Sequence, residues 1–247
     1  MTKIMKVLFV ATSHSALGDT SNKTGVWLEE LAAPYYVFKD AGAIVTLASP
    51  RGGPVPLDPK SQSIIIVTRT ARQFLKDTEA MHFLAHATPL DEIKADDFDV
   101  VFLPGGHGAL WDIAGNKALT QLLETFNNGG KPIGAVGHGV AGLLSMQNEQ
   151  GELVVKGKRL TGFSNSEEKL TGLTDIVPFL LASKLLSLGA LYSSGADYVS
   201  HLVADGNFIT GQNPASSEEV AKRIVAWHNI IHQQNLLTRQ GSVNSIT

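Results

Sequence analysis

The sequence contains no cysteine. That absence excludes disulfides, thiolate metal sites and a thiol nucleophile together, since all three need the Cys sulfur. An excess of positive charge is missing too: 20 Lys and Arg stand against 23 Asp and Glu, a formal net charge of -3. Nucleic-acid surfaces neutralise phosphates with clustered Lys and Arg, and no such cluster appears, so no nucleic-acid partner is expected. Long hydrophobic runs are also lacking. The apolar run within Met1–Val10 is about five residues long before Thr12-Ser13-His14 breaks it, too short for a signal peptide's apolar region or for a span of about 20 residues. The expectation is a soluble, cytoplasmic protein without a membrane partner.

What is present suffices for a full core. A chain of 247 residues, 43% of them hydrophobic, fits one α/β domain over residues 1–247, with a polar tail from about 235 to 247. Lys6–Ala11 is a continuous apolar run of the kind that fills a parallel strand covered on both faces. Thr24 is placed to cap a helix running to about Asp40, with Gly42 as its stop. Ala43–Ala48 reads as a second strand and Pro50–Pro56 as a loop. Ile64–Val67 fits a short strand or a buried rung, and Ala71–Ala87 one or two helices. Asp97–Pro104 returns the chain to the sheet, and a helical stretch from Trp111 closes at Gly129-Gly130. Pro178–Leu188 reads as an amphipathic helix, Ala190–Tyr192 and Asn207–Thr210 as strands, and His201–Ala204 as a hairpin partner or an extended piece. A last helix starts at Ser216 or Ser217 and runs to about Gln234. Strands alternating with helical crossovers predict a doubly wound, mostly parallel sheet between two helical layers.

The chain is organised around Lys131–Leu144. Ile133–Val136 reads as a buried strand, Gly137-His138-Gly139 as a sharp turn and Val140–Met146 as the start of a helix. Such an elbow presents one side chain at the carboxyl edge of the sheet, yet its apex is Gly137, which has none. Other polar groups begin at the same edge. Gly105-Gly106-His107-Gly108 follows a strand, and paired glycines let backbone N–H groups approach a ligand closely. Glu29 and Glu30 share the first turns of the first helix, where the ordinary reading is a solvated face favoured by the helix dipole. Ser166 precedes Glu167-Glu168 as a candidate helix cap. His82 and His86 stand four apart on one helical face without a third ligand nearby, so no metal is expected there.

The segments Lys23–Glu30, Leu47–Pro50, Gly105–Gly108, Ala135–Gly139, Thr161–Glu168 and Gly211–Ser216 together resemble the ThiJ/PfpI superfamily. They are most similar to its branch of heat-shock chaperones and cofactor-independent glyoxalases. The resemblance implies a flavodoxin-like three-layer sandwich, commonly homodimeric, acting on a small aldehyde without cofactor or metal. In that branch the elbow reads Ala-Val-Cys-His-Gly-Pro, with the cysteine as nucleophile. Carried over, the nucleophile position is Gly137, its base is His138 and the acid that orients the base is Glu168. Glu30 matches a protonated acid beside the thiolate, and Gly105, Gly106 and His107 match the oxyanion-side loop. Val140 departs from the pattern where a proline is usual.

Without sulfur at Gly137 no hemithioacetal can form with the protein. The leading expectation is therefore a glyoxalase-like fold with that chemistry lost or altered. An alternative keeps the pocket for binding, as a holdase for unfolded clients or a small-ligand sensor. The remaining alternative, a metal- or water-using hydrolase with His138 as base and His82, His86 or His107 as helper, has no compact ligand motif behind it.

Overall fold

The structure is a computed structural model that describes the backbone of residues 4–243 and side chains as far as residue 230. In chain order its elements are β1 (Lys6–Val10), α1 (Leu28–Asp40), β2 (Ile44–Ser49), α2 (Arg69–Phe74), α3 (Thr78–Ala85), β3 (Thr88–Pro89), β4 (Val100–Leu103), α4 (Ala109–Asp112), α5 (Lys117–Asn128) and β5 (Ile133–Val136). After the elbow come β6 (Arg159–Leu160), α6 (Asn165–Thr171), α7 (Leu181–Ser187), β7 (Leu191–Tyr192), β8 (Leu202–Asp205), β9 (Phe208–Gly211) and α8 (Ser217–Val243).

Seven strands form one sheet in the order β3-β2-β1-β4-β5-β9-β8, parallel throughout except for the β8–β9 hairpin. This is the flavodoxin-like α/β architecture expected from the alternation of strands and crossovers. Side chains alternate across the pleat, and the two faces of the central strands are equally apolar. Val7 and Phe9 of β1 and Val100 and Phe102 of β4 pack against α1, α2, α3 and α8, whereas Leu8, Val10, Val101 and Leu103 pack against α4, α5 and α7. Burial on both faces is why these strands read as unbroken hydrophobic runs. Between β1 and β4 the winding reverses, and a crevice opens outside the carboxyl ends of the strands.

Several sequence expectations give way to local chemistry. The Thr24 hydroxyl donates to Asp58 at 2.9 Å instead of capping a helix, and α1 begins at Leu28 behind Trp27. Ile64–Val67 is neither strand nor buried rung: Ile66 and Val67 donate their N–H groups to the Ser63 carbonyl, closing a tight turn. A local turn satisfies the backbone that a ladder would otherwise use, and Ile64 and Ile65 are left 86% and 90% exposed. The stretch from Trp111 is two helices, because Asn116 caps a new one through the Leu119 N–H. Gly137–Leu143 continues from the elbow as a 3-10 helix, not an α-helix. The cap before Glu167 is Ser164, not Ser166. Ala190–Tyr192 contributes β7, which pairs with β6 outside the main sheet. Finally, α8 runs to Val243, through most of the expected tail; residues 244–247 lie outside the described residues. Among the described residues no helix is long and apolar enough to cross a membrane.

Candidate active site

Three turns at the carboxyl edge of the sheet carry the predicted groups into one place. The first is the entry to α1, where Glu29 and Glu30 fall in the first turn. Their fates diverge: Glu29 is partly exposed, while Glu30 is buried to 2% exposure, so the solvated-face reading fails for Glu30. The second is the turn after β4. Gly105 donates its N–H to Glu30 Oε2 at 2.8 Å, so this amide, expected to face a ligand, is engaged by the protein itself. A Cβ on Gly105 would sit 2.4 Å from Glu30 Oε2 and 2.6 Å from the His138 nitrogen, which is why the close approach of these turns requires glycine there.

The third turn is the elbow. Gly137 has φ +51°, a left-handed conformation that costs other residues about 1–3 kcal/mol. A Cβ at this position would lie 2.6 Å from both carboxyl oxygens of Glu30. The apex is therefore not a void, because the Glu30 carboxyl group occupies the space that a side chain on residue 137 would need.

Glu168 arrives from α6, whose start is fixed by a capping box between Ser164 and Glu167. Its Oε1 accepts from His107 Nε2 at 2.7 Å and from the Thr171 hydroxyl at 2.9 Å, and its Oε2 accepts from His138 Nε2 at 2.7 Å. All four of Glu30, His107, His138 and Glu168 are buried. The pairing of His138 with Glu168 follows the sequence expectation. The second histidine on the same carboxylate, His107, was expected only as part of the oxyanion-side loop, and the signal that could have found it is its position at the carboxyl end of the neighbouring strand.

Burial acts in opposite directions on these groups. It pushes Glu30 up to about 8, outweighing the opposing Gly105 hydrogen bond and reinforced by the charges of Glu167 and Glu29. It brings His138 down to about 4, aided by His107 and opposed by Glu168. Desolvation also works to raise Glu168, but the hydrogen bonds and charges of His107 and His138 hold it below the usual carboxylate range. These directions fit a single protonation state at neutral pH: Glu30 a neutral acid, Glu168 an anion and His138 a neutral imidazole. An ionised carboxylate only accepts, so the network assigns the Nε2 proton to both histidines and leaves Nδ1 of His138 as its basic nitrogen. With Oε2 taking the Gly105 N–H, Glu30 Oε1 is the oxygen left to carry the acid proton.

Glu30, His107 and His138 line a cavity of about 50 Å³ together with Trp27, Phe163 and Tyr198, among others. Trp27 and Tyr198 also border an outer pocket of about 470 Å³ that reaches Glu29, Ile66 and Glu218. Tyr198 is the one non-glycine with positive φ, +56°, among the described residues, and its N–H donates to Glu167 at 2.8 Å. Neither its role as a wall nor that of Trp27 was read from the sequence. Aromatics in loops carry no periodicity, although Phe163 and Trp27 do fall inside the segments that carried the resemblance.

The DJ-1/PfpI family model matches residues 23–227. The chain belongs to this family. A curated relative in this DJ-1/PfpI group, Glyoxalase 3 of Candida albicans, is 30% identical over 240 residues, covering 90% of this chain and 98% of that protein. The crystal structure of glyoxalase III from Candida albicans superposes with a TM-score of 0.84 at 28% identity, over 90% of this chain and 96% of that one. Rapid Encystment Protein 24 kDa of Francisella tularensis gives a TM-score of 0.86 at 36% identity, over 90% and 98% of the two chains. The superfamily and its glyoxalase-bearing branch, expected from the motifs, are thus established for this DJ-1/PfpI protein.

Proposed function

We propose that this protein binds a small carbonyl compound in the cavity beside His138, and that thiol-dependent glyoxalase turnover is absent or very low. On this reading Gly137 stands where the glyoxalases of the branch carry their nucleophilic cysteine. The observation that supports it is the Glu30 carboxyl group in the space of a residue-137 side chain. A carbonyl oxygen in the cavity would meet a neutral acid, Glu30, and a neutral base, His138, two groups whose environments drive their proton affinities apart. Such a pair polarises and holds a carbonyl without a covalent bond to the protein.

Methylglyoxal consumption by the protein and by its Gly137→Cys variant tests this. The unaltered protein is expected to show little or no turnover, and the variant to gain a thiol that alkylating reagents label. Turnover by the unaltered protein at a level the cysteine does not raise would overturn the reading. The variant must also displace the Glu30 carboxyl group and accept φ +51°, so its stability should fall by about 1–3 kcal/mol.

One observation favours a second reading, a holdase for unfolded clients. Ile64 and Ile65 project into solvent, and Ile66, 51% exposed, borders the outer pocket. A contiguous apolar patch of this kind is unusual on a surface that binds nothing. Suppression of client aggregation should weaken when all three isoleucines become serine; equal suppression by that variant would remove the support.

A further inference from the structure

His107, His138 and Glu168 come from three separate segments, the turn after β4, the elbow after β5 and helix α6. One ligand atom from each lies within 4.8 Å of the others, and all three side chains are buried. Among the described residues no other group of three His, Asp or Glu side chains meets the same condition. Two imidazoles and one carboxylate are the donors that open zinc sites use, leaving a further position for water or substrate.

We propose that His107 Nε2, His138 Nε2 and the Glu168 carboxylate bind one divalent transition-metal ion, zinc in the first instance. The open position would face the cavity lined by Trp27, Glu30 and Phe163. At about 50 Å³ that cavity has room for a water molecule, whose share of liquid volume is about 30 Å³.

The geometry is near what the ion needs. With bonds of about 2.0–2.1 Å in a tetrahedral site, two ligand atoms stand roughly 3.3 Å apart. Each Nε2 now lies 2.7 Å from a Glu168 oxygen, so the carboxylate has to retreat from each nitrogen by about half an ångström. The proton on each Nε2 moves to Nδ1 or to solvent as the ion enters, so metal and hydrogen-bonded network are alternative states of the same three groups. Thr171, which donates to Glu168 Oε1 at 2.9 Å, supplies the outer hydrogen bond that orients a ligating carboxylate. The ion would bind whether or not the protein turns over a substrate.

The test uses chelator-treated full-length protein dialysed against zinc, with bound metal counted by elemental analysis, and a parallel titration with cobalt(II) followed by visible absorption. One zinc per chain is expected, together with the intense visible bands of four-coordinate cobalt. His107→Ala and His138→Ala should each weaken binding by more than the roughly 10–100-fold that loss of an outer-shell partner costs. The cobalt spectrum of the unaltered protein needs no variant, so a misfolded mutant cannot conceal the answer. Substoichiometric zinc, a weak six-coordinate cobalt spectrum, or binding that persists in His107→Ala but disappears in a His82→Ala/His86→Ala double variant would overturn the site.

Discussion

Among the described residues two pairs of histidine rings lie face near face, one stacked and one tilted. His82 on α3 and His86, which follows the helix as its non-helical C-cap and not on the helical face expected from the spacing, have ring centroids 4.0 Å apart and planes 28° apart; His107 and His138 are 4.3 Å and 40° apart. The first pair is exposed, and its polar contact is local, His86 Nδ1 to the His82 carbonyl at 2.8 Å. The second is buried, and each ring shares Glu168. Water satisfies an exposed imidazole at no structural cost, whereas a buried one needs a protein partner whose identity then decides tautomer and basicity. Close ring approach is thus common to both pairs, and the shared carboxylate is what sets the chemistry of one apart.

The largest effect comes from removing that carboxylate's charge. In Glu168→Gln one amide hydrogen must face a histidine Nε2–H unless a ring changes tautomer, and the buried network loses its only anion acceptor for both rings. A loss of about 2–4 kcal/mol in urea unfolding at pH 7 is expected. The pH dependence has a definite sign. Because the folded state lowers the Glu168 pKa from its ordinary 4.5, its contribution is present above about pH 4.5 and fades as pH falls through the folded value. The gap between the unaltered protein and the variant should therefore narrow in acid; a gap that stays constant or widens below pH 4.5 would count against an ionised Glu168.

Next in size is Glu30→Gln, which replaces a neutral acid by a neutral amide of the same shape. With its pKa raised to about 8, Glu30 binds a proton in the folded state that the unfolded chain releases above about 4.5. Stability of the unaltered protein is then highest, as far as Glu30 is concerned, below the unfolded value. It declines as pH rises toward 8, by at most about 1.4 kcal/mol per pH unit. The glutamine variant should lack that decline and become the more stable of the two at alkaline pH. Parallel stability curves between pH 5 and 9 would show that Glu30 is not held neutral.

The same contrast explains what could be read from the sequence. The strands were legible because the interior of β1 and all of β4 and β5 are buried on both faces and carry almost only apolar side chains, and Gly105 and Gly137 stood out because they sit in the turns that follow β4 and β5. His138, Glu168 and Glu30 were found through motif resemblance, and the structure brings them together with His107. The resemblance placed Glu30 beside position 137, but the sequence did not show that its carboxyl group takes up the space a side chain there would need. Nor did it show the three-segment cluster: His82 and His86 drew attention through their four-residue spacing, whereas His107 and Glu168 meet only because their strands and helix converge on one edge. Ile64–Val67 was misread for a related reason, since an apolar run gives no sign of whether a turn or a ladder will satisfy its backbone.

The smallest effect belongs to the pair that the spacing favoured. His82→Ala/His86→Ala removes two exposed rings and the contact of His86 Nδ1 with the His82 carbonyl, while alanine's higher helix propensity offsets part of the lost packing within α3. Surface substitutions of this kind change stability within about ±0.5 kcal/mol, so the unfolding midpoint should scarcely move. A drop of more than about 1 kcal/mol in the double variant would mean that the exposed pair carries a partner interaction of its own. It would then no longer serve as the solvated counterpart against which the buried pair is judged.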